Sequence, residues 1–95
     1  MKHFTLLKLA PGVDALEVQH KIKKAYQKLD DELDWANAPV VYRCCDGGTS
    51  DMDLMAIMEL DAAEQLPAFL EHPIHTKLVE KLKDEVAGSI TFDHY

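Results

Sequence analysis

The stretch Glu71-His72-Pro73-Ile74-His75-Thr76-Lys77-Leu78 holds the densest set of reactive side chains in the sequence. On a helix opening at Pro73, His75 lies three, four and seven residues before Leu78, Val79 and Leu82, so it shares their apolar stripe and faces inward. An imidazole titrates near pH ~6.5, and one beside an apolar cavity can take a proton from a carbon acid as a general base. The same spacing also fits a buried neutral histidine that donates one N–H to a backbone carbonyl. His72 stands immediately before Pro73, which places it at the N-cap with proline first in the helix, where a missing N–H costs nothing. That is a structural role. A metal shared by His72 and His75 is not expected, because N-cap geometry is not helical and no third ligand follows from the spacing.

His3 is the other candidate. It alternates with Thr5, Leu7 and Leu9 on one face of a strand, while Phe4, Leu6 and Lys8 share the other. It is read either as lining an interior or as a strand-end histidine in water. The remaining motifs lead nowhere chemical. Cys44 and Cys45 are adjacent, and neighbouring strand side chains point to opposite faces, so a disulfide between them needs distorted geometry. Two free thiols fit a reducing compartment, and a cytoplasmic location is expected. Asp46, Asp51 and Asp53 lack the spacing of a calcium loop. Gly47-Gly48 is followed by neither a lysine nor a helix start, so it is no phosphate cradle.

The elements that must hold these residues follow from periodicity. His3 to Leu9 reads as a strand stopped by Pro11-Gly12. Asp14 with Glu17 has capping spacing, and Val18, Ile22, Ala25, Tyr26, Leu29 and Leu33 then form one apolar helical stripe. That helix is expected to end near residues 34–36, ahead of Asn37-Ala38-Pro39. Val40 to Cys45 is a second strand and Met52 to Leu60 a third. Asp61 with Glu64 repeats the capping spacing for a second helix through Leu66, Phe69 and Leu70, within which Pro67 is awkward. From Pro73 a further helix carries Leu78, Val79, Leu82 and Val86 inward until Gly88 stops it. Ser89 to Asp93 is the last strand. The order β-α-β-β-α-β predicts an α+β, ferredoxin-like sandwich with a four-stranded antiparallel sheet, one domain over residues 1–95.

Strand three adds an assembly. Leu54 to Met58 is apolar on both faces, yet such a sheet carries helices on one face only, so a lone chain would expose an apolar patch. At about 25 cal/mol per Å² of apolar area, covering two or three such side chains contributes several kcal/mol per chain. A homodimer through the open face of the sheet is expected, two sheets closing a barrel-like layer around a cavity. The formal charge of −7 repels phosphate backbones, so no nucleic acid is expected. The lysines at 21, 23 and 24 read as a solvated helix face. No run approaches the ~18 apolar residues of a membrane span.

The opening KHFTLLKLAPG, the double-sided third strand, His-Pro-Ile-His and the ending SITFDHY together resemble the stress-responsive A/B barrel (Dabb) domain over essentially the whole chain. The resemblance implies tight homodimers whose two sheets close into a barrel. It also implies, by position, that His75 matches the catalytic base of a cofactor-free plant polyketide cyclase, and that His3 matches a pocket-lining histidine. The tyrosine that works with that base falls at Phe69, so the cyclase hydroxyl is missing here. The expected function is therefore binding of a small, mostly apolar organic molecule, with His3, Thr5, Phe69 and His75 as the ligand-binding residues and no cofactor. The alternatives are a cofactor-independent cyclase, isomerase or lyase with His75 as general base, and a structural dimer with a filled barrel.

Overall fold

A computed structural model describes all 95 residues. Strand β1 spans Lys2–Leu9, helix α1 Ala15–Glu32, strand β2 Ala36–Arg43 and strand β3 Leu54–Leu60. A single 3-10 turn, Ala63–Gln65, leads into the short helix α2, Leu66–Glu71, followed by helix α3, Pro73–Leu82, and strand β4, Val86–His94. The four strands lie in the order β2-β3-β1-β4, every neighbouring pair antiparallel. This is the expected α+β, ferredoxin-like arrangement, with all helices on one face of the sheet. The sheet of a single chain is open.

Local chemistry accounts for the elements. Gly12 takes the left-handed conformation (φ 81°) that lets the chain turn out of β1 after Pro11. Asp14 caps α1 by accepting from the Leu16 N–H at 2.9 Å. Val18, Ile22, Tyr26 and Leu29 of α1 are then buried against the sheet. His72 separates α2 from α3 as predicted: its backbone is extended, and its Nδ1 accepts from the Ile74 N–H at 3.1 Å.

Several boundaries differ from expectation; the first is the end of α1, which stops at Glu32 with Leu33 as its C-cap, short of residues 34–36. β2 starts at Ala36 and runs through Pro39, because it is an edge strand and breaks its ladder in a bulge between Asn37 and Val40, where Ala38 takes φ 52°. β3 starts at Leu54, two residues later than read. Pro67 sits in the first turn of α2, where its missing N–H is not needed, and the α-helix starts late, at Leu66, with the 3-10 turn Ala63–Gln65 ahead of it. The cap ahead of it shifts by one residue from the Asp61–Glu64 reading: Gln65 Oε1 accepts from the Ala62 N–H at 2.8 Å. Finally, α3 ends at Leu82. Val86 and Gly88 belong to β4, and Val79 is exposed rather than inward.

Strand parity divides the residues between two faces. Leu7, Leu9, Val41, Leu54, Ala56, Met58 and Leu60 face the helices and are buried, with Phe69 fully enclosed between them and α1. The opposite face carries two cross-strand rows in register: Val40-Ile57-Phe4-Phe92 and Tyr42-Met55-Leu6-Ile90. Phe92 is 65% exposed, Ile90 57% and Tyr42 56%. Eight apolar side chains thus tile a bare sheet face, and Lys2, Glu59 and His94 form a polar row at one end of it.

Candidate functional site

The alternation of β1 puts His3, Thr5 and Leu7 under the helices, where the β1–β4 register sets them opposite Asp93, Thr91 and Ser89. The reading of His3 as a strand-end histidine in water is corrected: it lies on the helix-covered face, only 2% exposed. A cavity of about 310 Å³ opens here between the sheet, α1 and α3. Ile22, Tyr26, Leu78 and Leu82 supply apolar wall; His3, Thr5, His75, Ser89 and Thr91 supply polar atoms; Val79 and Lys83 also line it.

The polar side is organised as a chain. His3 Nδ1 lies 2.5 Å from Asp93 Oδ1, and His3 Nε2 lies 3.2 Å from Thr5 Oγ1. The His3 ring thus bridges the Asp93 carboxylate and the Thr5 hydroxyl, one through each ring nitrogen. Tyr26 stands beside Thr5. Burial pushes its phenol up to about 12, with the Thr5 hydroxyl pulling weakly the other way, so Tyr26 keeps its proton at every physiological pH.

His75 enters from the first turns of α3. Burial, and next the proximity of His3, lower its pKa below the ordinary 6.5, with a smaller contribution from His72. The Leu70 backbone pulls the other way without completing a hydrogen bond, because Nδ1 of His75 is buried with no partner. His75 is therefore a neutral imidazole near pH 7. The sign of the resulting pH dependence is fixed: a depressed folded value means that the unfolded chain binds the proton first. Stability is expected to fall as pH drops below about 6.5. His75→Gln should lose less stability between pH 7.5 and 5.0 than the parent in urea denaturation, and an equal loss would contradict the assignment.

Phe69 is placed differently from the expectation. It does not line the cavity but stands one layer behind it, 0% exposed. Its ring centroid lies 5.7 Å from His3, 6.0 Å from Tyr26 and 5.2 Å from His75, edge-on to the first two and tilted to the third. It positions the site's rings without offering them a surface of its own. His72 points elsewhere, towards Glu32 at 3.3 Å, so the two histidines of the motif do not converge. Nor do the three aspartates of the 46–53 segment: Asp53 accepts from the Leu9 N–H at 2.7 Å, and Asp46 lies 3.5 Å from Arg43.

Sequence reasoning missed Asp93, Ser89 and Thr91, and it assigned Tyr26 to the core alone. A signal existed for the first three. Ser89, Thr91 and Asp93 alternate with Ile90 and Phe92, which marks a polar and an apolar face of one strand. Tyr26 carried none, since its spacing is that of any core residue of α1.

The family model for the stress responsive A/B barrel domain matches residues 1–95. No curated protein sequence matches the chain. Among solved structures, it is similar to a dimeric protein of unknown function and ferredoxin-like fold from Bacteroides fragilis, with TM-score 0.83 and 21% identity over 98% of this chain and 92% of that one. A Dabb family protein from Mesorhizobium loti has TM-score 0.74 and 18% identity over 99% and 93%. The hydroxynitrile lyase of Passiflora edulis has TM-score 0.76 and 7% identity over 98% and 89%. At such identities the structures speak to the fold alone. The family match spans every residue, and the chain belongs to the stress-responsive A/B barrel domain family.

Proposed function

We propose that this protein is a homodimer, paired through its bare sheet face, in which each subunit binds a small, mostly apolar and uncharged organic molecule. The cavity carries this reading. Its volume falls at the lower end of small-molecule sites, and its wall is apolar with a few convergent polar groups. The groups that reach into it favour a neutral ligand: Tyr26 keeps its proton, His75 is neutral, and Lys83 at the rim is paired with Glu80 at 2.9 Å. The two rows of exposed apolar side chains, and the dimeric state of the relative from Bacteroides fragilis, support the pairing. Free Cys44 and Cys45 suit a cytoplasmic setting.

The test uses 2-naphthol as an uncharged aromatic probe, followed by calorimetry. Val79 lines the cavity yet is 55% exposed, so Val79→Trp can plug the opening without overpacking the core. The parent is expected to bind one probe per chain, and Val79→Trp to weaken binding about tenfold or more, the scale of lost apolar contact. Absence of binding, or unchanged affinity in Val79→Trp, sinks the proposal.

One observation favours a catalytic second reading. His75 is neutral and its Nε2 is the nitrogen left open to the cavity, since Nδ1 is the buried one. A base in that position could remove a proton from a bound carbon acid, with Tyr26 or Thr5 supplying the hydroxyl that Phe69 lacks. The lyase from Passiflora edulis shows that a protein of this fold can be an enzyme. Turnover of any such substrate should then depend on a single ionisation below pH ~6.5 and vanish in His75→Gln.

A further inference from the structure

A chain of net charge −7 has ten basic residues, and half of them line one notch. Lys21, Lys24 and Lys28 of α1 face Lys77 and Lys81 of α3 across a hollow of about 260 Å³. Its floor is apolar: Ala25, Ile74 and Leu78. Helical spacing stacks the lysines of each bank on one side of their helix. Lys21 is partly neutralised by Glu85 at 3.0 Å, but the other four have no carboxylate partner. In an acidic protein, where carboxylates are abundant, four unpaired ammonium groups around one hollow make a local positive potential opposed to the whole. The notch is on the helical side of the molecule, so covering the bare sheet face leaves it open.

We infer that this notch binds a compact organic polyanion of about four negative charges, the class of a free organic polyphosphate. Charge balance sets the number, since the four unpaired lysines match such a ligand. Lysine suits the ligand type, because it meets phosphate as a mobile point charge. Size sets the source: a few hundred Å³ holds a small molecule, whereas a protein partner needs roughly 800 Å² of surface. Nucleic acid is disfavoured by the charge of the rest of the molecule. The apolar floor would receive the organic part of the ligand. Leu78 lines both this notch and the cavity beside His3 and His75, so the two share one side chain as a partition.

The probe is tripolyphosphate, titrated into the full-length protein at low and at physiological salt. One ion per chain is expected, with affinity falling steeply as salt rises. Amide shifts in NMR spectra should be confined to residues 21–28 and 74–81. Combining Lys24→Gln, Lys28→Gln, Lys77→Gln and Lys81→Gln should weaken binding about tenfold or more. Lys23→Gln, on the same helix but lining a different groove, should leave affinity unchanged. The inference is overturned if tripolyphosphate does not bind at low salt or binds the fourfold variant equally well. Binding of duplex DNA or polyglutamate without tripolyphosphate would overturn it too.

Discussion

Ile57→Glu is expected to convert the proposed homodimer to monomers while leaving each subunit folded. Ile57 sits near the middle of the bare face, in register with Val40 on one side and Phe4 on the other. In a lone chain it is half-buried and one edge of it meets water, so a carboxylate there remains hydrated and the core beneath is untouched. In a face-to-face pair the same carboxylate would leave water for the apolar rows of the two sheets. An unpaired buried charge costs several kcal/mol, and a two-fold axis imposes that cost twice. A rise of about three orders of magnitude or more in the dimer dissociation constant follows, since each ~1.4 kcal/mol is tenfold. Sedimentation velocity reads it directly. Leu16→Glu is the control: Leu16 is an exposed apolar residue on α1, 58% accessible, and its replacement should leave the dimer intact. A parent that sediments as a monomer, or an Ile57→Glu variant that stays dimeric, would remove the sheet face from consideration.

Phe69→Ala should cost about 3–5 kcal/mol of stability, the range for emptying a large core position. Phe69 is fully enclosed and touches three aromatic rings, so the surrounding structure has little freedom to collapse into the space left behind. Urea denaturation measures the loss. The same variant should also bind the cavity probe more weakly, although Phe69 never meets the ligand, because His3, Tyr26 and His75 lose the ring that fixes their orientation. Phe69→Leu keeps most of the volume and should recover most of the stability but not all of the affinity. A loss below about 1 kcal/mol in Phe69→Ala would show that the site packs without this ring.

Much of the fold was legible because parity and helical spacing are local properties. The two faces of β1, the buried stripe of α1 and the helix start at His72-Pro73 are all present in runs of a few residues. The errors occurred where a long-range pairing overrides a local rule. Pro39 reads as an interruption until β2 is known to be an edge strand, and Gly88 reads as a helix stop until β1 is known to pair with it. Of the site, His75 and His3 could be read from the chain, but Asp93 could not be joined to His3, since the two are 90 residues apart and meet only through sheet register. Phe69 was assigned to the cavity wall from its position in the chain, whereas its depth depends on how α2 is set down on the sheet.

The strict division of β1 into odd and even positions has a further consequence. His3, Thr5 and Leu7 build the cavity, while Phe4 and Leu6 build the bare face, so two tasks are written on one ribbon without sharing a letter. Point substitutions can change the cavity lining without touching the bare face, or the reverse. Inserting or deleting one residue in β1 has no such freedom. It would exchange the two alphabets at every position beyond it, turning Phe4 towards the helices and His3 towards the partner. The strand is therefore tolerant of spelling changes and intolerant of frame changes, and new functions in such a chain can arise by substitution far more readily than by slippage.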